Sequence, residues 1–322
     1  MRKISLLLLC FLFSSSSCYS WGFYAHKRIN TLAVFLLPPK MLGFYKKNIS
    51  YLADHAVDPD KRRYAVPEEG PRHYIDMDHY GVYPFDALPH HWEKAKEKFS
   101  ADTLQGHGIL PWWVQTMQLR LTKAFRDKDA ARILRCSAEL GHYLSDAHVP
   151  LHTSSNHNGQ FTGQEGIHGF WESRLPELLC EAQWDFFLEP ALYLKDPQSY
   201  IWKKILESAL ASDSVLRLEK ELSLHFPPSQ KYSIEDRKGQ LVKTYSASYS
   251  KRYDQLLQGM VERRMRSAVL TVASFWYTAW VNAGQPDLDE TTSTAQGPLD
   301  QMISTYLEKA WLAHRIQGRN CD

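Results

Sequence analysis

The chain has 322 residues, 44% hydrophobic and 23% charged, enough to bury one sizeable core. Its 38 Lys and Arg nearly balance its 36 Asp and Glu, which excludes a polyanion binder working through a general basic excess. Five cysteines without a C-x-x-C pair exclude a disulfide scaffold and a thiolate zinc site.

In chain order, residues 1–20 read as an export signal, with Arg2 and Lys3 ahead of an apolar run at 4–13 and a small, polar stretch after it. Cleavage after Ser20 is the expectation, giving a secreted or periplasmic protein. The alternative is a lipoprotein modified at Cys18, against which Ser15 stands where a large aliphatic residue is usual. Cleavage removes two positive charges and leaves 36 basic against 36 acidic residues, a formal charge of zero. It also leaves Cys136, Cys180 and Cys321, so at most one disulfide forms. No later stretch is apolar enough for a stable membrane anchor, and nothing in the sequence implies a protein partner.

Three- and four-residue apolar spacing predicts helices over 112–125, 130–146, 202–222 and 249–283, the last stopped by Gly284-Gln285-Pro286. The polar stretch 227–245 is expected to be a loop, and one more short helix is expected near 300–314. The fold class is therefore all-α, a compact multi-helix single domain at 21–285 with a variable insertion at 180–248 and a C-terminal tail at 286–322.

Candidate metal ligands concentrate between His142 and Glu172, in HYLSDAHVPLH and HGFWE. His142 and Asp146, and His168 and Glu172, are four residues apart, so each pair shares a helix face; His152 lies between them. With 14 histidines and 36 acidic residues, chance alone supplies about 1.6 such pairs, so one pair decides nothing and the ordered series decides much. Nitrogen and oxygen donors without cysteine suit zinc in an open, catalytic site.

HYLSDAHVPLH followed by HGFWE resembles the zinc-binding core of the bacterial zinc-dependent phospholipases C, and equally that of the single-strand-specific zinc nucleases. The resemblance runs from Trp21 to about Glu177. It implies an all-helical fold and three zinc ions. Carried onto this chain it implies the main-chain amine and carbonyl of Trp21 in WGFYAH, His26, an aspartate matched to Asp54 in YLADHAVD, and His73 in RHYID. Asp54, His73, His142 and Asp146 would hold one zinc. Trp21, His26 and Asp146 would hold a second, with Asp146 bridging, and His152, His168 and Glu172 the third. Asp58, Asp60 and Asp78 are alternatives to Asp54, which its Ala-Asp context favours. The implied activity is hydrolysis of phosphate diesters by metal-activated hydroxide, with Asp54 as general base.

Tyr74 and Asp76 are candidate substrate contacts. His55, His79, His148 and His157 read as solvated residues, with hydrogen bonding to a metal-binding carboxylate as the alternative. Lys61-Arg62-Arg63 reads as a solvated charge run, with a substrate phosphate as the alternative, and Trp112, Trp113, Trp276 and Trp280 read as core. The substrate is a phospholipid or single-stranded nucleic acid: the Trp-Gly start and the place of His26 resemble the nucleases, whereas HYL-x-D and the acidic ligand Glu172 resemble the phospholipases, towards which the balance leans. A non-catalytic zinc-binding module is the remaining alternative.

Overall fold

The computed structural model describes residues 22–237, 239–291 and 298–313. The export signal, Trp21 and Cys321 lie outside the described residues. The chain runs through α1 (Phe23–Val34), α2 (Pro39–Lys47), α3 (Ile49–Asp54), α4 (Asp58–Arg62), α5 (Trp92–Phe99), α6 (Ala101–His107), α7 (Leu110–Arg126) and α8 (Ala130–Asp146). The second half adds α9 (Ile167–Gly169), a π-helical turn at Phe170–Arg174, α10 (Leu175–Gln183) and α11 (Pro197–His225). A two-stranded antiparallel ribbon of β1 (Tyr232–Arg237) and β2 (Gln240–Tyr245) precedes α12 (Ala247–Leu257), α13 (Met260–Asn282) and α14 (Pro298–Leu312). The fold is all-α apart from this ribbon.

Helices α1, α7, α8 and α13 pack on one another and enclose the core. Three helix starts have a local side-chain cause. The Asp129 carboxylate accepts from the Arg132 amide and caps α8, Asp196 does the same for the Ser199 amide of α11, and Ser246 for the Tyr249 amide of α12. Along α8 the buried positions include Ile133, Ser137, Leu140 and Leu144, one face at helical spacing. Trp276 of α13 is fully buried, and its indole donates to the Ser137 carbonyl at 3.0 Å. Trp112 and Trp280 are also buried and Trp113 packs against the same core, as expected of these tryptophans.

One contact sets how closely the future ligand helices approach. The Asn30 amide, one turn along α1 from His26, donates to the carbonyls of Leu52 and Ala138, both at 3.1 Å. Its oxygen faces Gly141 of α8, where an added Cβ would stand 2.0 Å from it. Gly141 therefore permits α1 and α8 to lie close enough for His26 and His142 to stack, with ring centroids 3.9 Å apart.

The structure differs from the expectations in three places. The stretch 227–245, expected to be a loop, contains the β1–β2 ribbon at 232–237 and 240–245, held to the body by the Arg174–Glu235 pair and by Phe170 stacked 3.8 Å from Tyr245. The helix expected over 249–283 breaks at Gln258 and Gly259, both left-handed at φ 52° and 72°; apolar spacing continues across the break because both halves bury against one core. The run Lys61-Arg62-Arg63 is not solvated: Arg62 binds Glu69 and Glu139, Arg63 is buried, and Lys61 pairs with Glu308. Cys136 and Cys180 are both free thiols.

Candidate metal centre

Three buried groups of nitrogen and oxygen donors come together: His26, His142 and Asp146; Asp60, His73 and His142; and His152, His168 and Glu172. The donors come from α1, α4, α8, the stretch after Arg72, the turn Pro150–Thr153, α9 and the π-helical turn. In the third group, the four-residue step from His168 to Glu172 closes a 3.2 Å approach, and His152 reaches the other carboxylate oxygen at 3.3 Å. In the first two, Asp146 lies 3.4 Å from His26, 3.2 Å from His142 and 3.0 Å from His73. Two ligands at about 2.0–2.1 Å from one tetrahedral ion stand roughly 3.3 Å apart, so these separations fit donors shared by a common cation.

The hydrogen bonding around the rings says the same. His142 Nδ1 donates to the Ala56 carbonyl at 2.8 Å, His168 Nδ1 to the His157 carbonyl at 3.1 Å, and His152 Nδ1 to the His73 carbonyl. Each bond fixes the tautomer and leaves Nε2 as the lone-pair nitrogen facing the group, the arrangement typical of metal-binding histidines. Nε2 of His152 and of His168, Oδ1 of Asp146 and both carboxylate oxygens of Asp60 accept or donate no hydrogen bond although they are buried. Buried polar atoms are rarely left so, and a cation accounts for all of them. His73 is held the other way round, Nδ1 toward Asp146 and Nε2 toward Glu69 at 3.6 Å. Glu69 is fully buried and receives Arg62 at 2.9 Å, Arg72 at 2.6 Å and the Tyr143 hydroxyl.

The electrostatics of the protein without an ion show what a cation would replace. Burial raises the Asp60 carboxyl above its ordinary value, against the opposing charges of His142 and His73. Asp146 is as deeply buried, yet His142, His152 and His73 outweigh burial and hold it well below the carboxylate range. Burial works against the charged form of His142, but Asp146 and Asp60 overcome it and raise the imidazole to about 9. Burial and the neighbouring His142 push His26 well below its usual value. Protons and carboxylates thus balance charges among these buried groups.

The placement of the expected residues follows. His26, His73, His142, Asp146, His152, His168 and Glu172 all lie in these three groups, with His142 shared by the first two. Asp54 does not: its side chain is 67% exposed and pairs with Lys27 at 2.8 Å. Asp60 takes the place in the cluster, 3.7 Å from His142 and 3.8 Å from His73. The helical phase carries the reason, since Leu52, Ala56 and Asp60 are four residues apart and all buried, and Asp54 is out of phase with them. That phase was a signal in the sequence. Trp21 lies outside the described residues. Tyr74 and Asp76 are both buried; Tyr74 donates to the Gly106 carbonyl and Asp76 contacts His107 at 3.3 Å, so neither presents an open surface. His148 is not solvated but fully buried, with Nδ1 on the Leu144 carbonyl and Nε2 on Thr271, and His157 is also buried, its carbonyl holding His168. His55 instead pairs with Asp58 at 2.6 Å. Two further residues went unmarked in the sequence, Glu69 and Asn158; the Asn158 side-chain oxygen accepts from the amides of Gly166 and His168 and shapes the loop beneath the third group.

An all-helical frame around three buried groups of histidines and carboxylates defines a class of protein that could hold metal ions at clustered sites. The chain belongs to the zinc-dependent phospholipase C family, whose description matches residues 25–223 and so spans every described residue of the three groups. No curated protein shows significant similarity to the chain.

Proposed function

We propose that the protein is a trinuclear-zinc phosphoric diester hydrolase acting on phospholipid, with Asp60, His73, His142 and Asp146 at one site, His26 and Asp146 at a second, and His152, His168 and Glu172 at the third. The observation that carries this is the pair His152 and His168, whose Nδ1 atoms are tied to backbone carbonyls while their buried Nε2 atoms make no hydrogen bond and face Glu172 at 3.3 and 3.2 Å. Trp21, through its main-chain amine and carbonyl, completes the second site in a chain that begins there. Bound zinc supplies Lewis acidity, which brings the pKa of a coordinated water towards neutrality and offsets the negative charge of a phosphodiester.

The residues of the chain do the rest. Three carboxylates against six charges of zinc leave the centre positive, so a formally neutral protein attracts phosphate locally. The backbone-tied histidines keep the donors in place, and the buried walls exclude bulk water and strengthen the field. Asp54 is too exposed and too engaged with Lys27 to act as general base. Asp60 is buried beside His73 and His142 and neither of its carboxylate oxygens makes a hydrogen bond, so its carboxylate is available to accept the proton of the attacking water. The family match supports phospholipid over nucleic acid.

The test assays phosphatidylcholine and single-stranded DNA in parallel with zinc-loaded and chelator-treated protein. Zinc-dependent release of the phosphorylated headgroup is expected. Cleavage of DNA alone would move the protein to a nuclease activity, and full zinc with neither activity would make it a binding module.

A further inference from the structure

Helix α14 follows the residues that match the family and sits on the metal centre's own supports. It packs against α4, which carries Asp60, and the Trp311 ring lies tilted against that of Phe23 of α1, centroids 5.5 Å apart, three residues before His26. Leu307 is buried, and Glu308 is engaged by Lys61, the residue next to Asp60, at 2.9 Å. The other side of the helix carries Met302, Ile303, Tyr306 and Leu312, exposed by 68%, 46%, 60% and 58%. Residues 302, 303 and 306 share a helix face, and apolar side chains grouped this way are a costly surface for water to cover.

Resting on the phospholipase reading, we infer that this outward face of α14 docks the protein on a neutral lipid surface, bringing the metal centre to phospholipids held in a bilayer. Three observations select that partner. The helix lies on the elements that carry Asp60 and His26, so what it touches is held beside the site. The face has an aromatic hydroxyl at its middle, a side chain suited to the boundary between headgroups and acyl chains. Among the described side chains of the helix the charged ones are Glu308, paired with Lys61, and Lys309, so they form no cluster of cations of the kind that holds a protein to an anionic membrane.

The experiment uses the zinc-loaded full chain, the triple variant Met302→Ser/Ile303→Ser/Tyr306→Ser, and Leu119→Ser, which removes an equally exposed apolar residue from α7. Sedimentation with phosphatidylcholine vesicles is measured alongside hydrolysis of a short-chain phosphatidylcholine kept monomeric. The wild type and Leu119→Ser should partition onto the vesicles, and the triple variant should lose about tenfold or more of that partitioning. All three should hydrolyse the monomeric lipid alike. Equal partitioning of the triple variant, a wild type that stays in solution, or partitioning only when phosphatidylserine is present would overturn the inference. So would a wild-type dimer that the triple variant converts to monomer, because the face would then belong to a second copy. Vesicle binding without hydrolysis of either lipid would support the docking and overturn the phospholipase reading.

Discussion

Replacing Asp60 by Asn should separate the ligand role from that of Asp54 by two independent readouts. Asp60 is 4% exposed, has no hydrogen bond on either oxygen and lies within 4 Å of two histidines. Zinc loading of the wild type stabilises the fold by about 2.7 kcal/mol per site at a free concentration a hundredfold above Kd. A chain of this size shifts by roughly 2–4 °C per kcal/mol, so losing one site lowers Tm of the zinc-loaded form by about 5–10 °C. The metal-free form should behave oppositely. There Asp60 is a buried carboxylate short of partners, and the neutral amide relieves a desolvation cost, so Tm of the chelated variant should equal or exceed that of the chelated wild type. Bound zinc should fall from three ions to two, and kcat/KM on phosphatidylcholine by about two orders of magnitude or more. Asp54→Asn removes an exposed pair with Lys27 worth about 0–1 kcal/mol and should leave zinc content intact. Metal analysis and calorimetry with and without chelator check both variants. Loss of zinc from Asp54→Asn together with full loading of Asp60→Asn would refute the reasoning.

Three further outcomes are expected. Asp146→Ala should harm activity more than any other single ligand change because its carboxylate faces His26, His73 and His142, whereas His148→Ala should cost about 1–3 kcal/mol of stability and keep its zinc, as metal analysis and melting curves will show. Glu69→Gln weakens the charge behind His73 and should lower zinc affinity by about 10- to 100-fold in a zinc-buffered titration, an effect that would not appear if Glu69 only packs. Burial raises the phenols of Tyr45, Tyr143, Tyr249 and Tyr253 above their ordinary value. Their stabilising contribution is fully present below the unfolded phenol pKa near 10 and is lost as pH climbs past it toward the folded values, so Tm should fall steeply between about pH 10 and 11.

Helices α7 and α8 were legible because their apolar stripes are local. The His142–Asp146 and His168–Glu172 pairs were legible for the same reason, since a four-residue step fixes the shared face. Asp60 was less so: choosing among Asp54, Asp58 and Asp60 required the helical phase from Leu52 and Ala56, not the neighbouring residue types. The β1–β2 ribbon had no local signature strong enough, because its strand positions are exposed or only half-buried and what holds them, Arg174 to Glu235 and Phe170 to Tyr245, is tertiary. Glu69 could not be singled out among 36 acids, because its role comes from Arg62, Arg72 and Tyr143 meeting it in space.

The most direct measurement strips the protein with chelator, returns zinc in known equivalents, and follows bound metal and phosphatidylcholine hydrolysis together. Three clustered sites predict uptake of three ions per chain, with full activity returning only as the third equivalent binds. Full activity at one equivalent, or its recovery with magnesium, would contradict a trinuclear zinc centre.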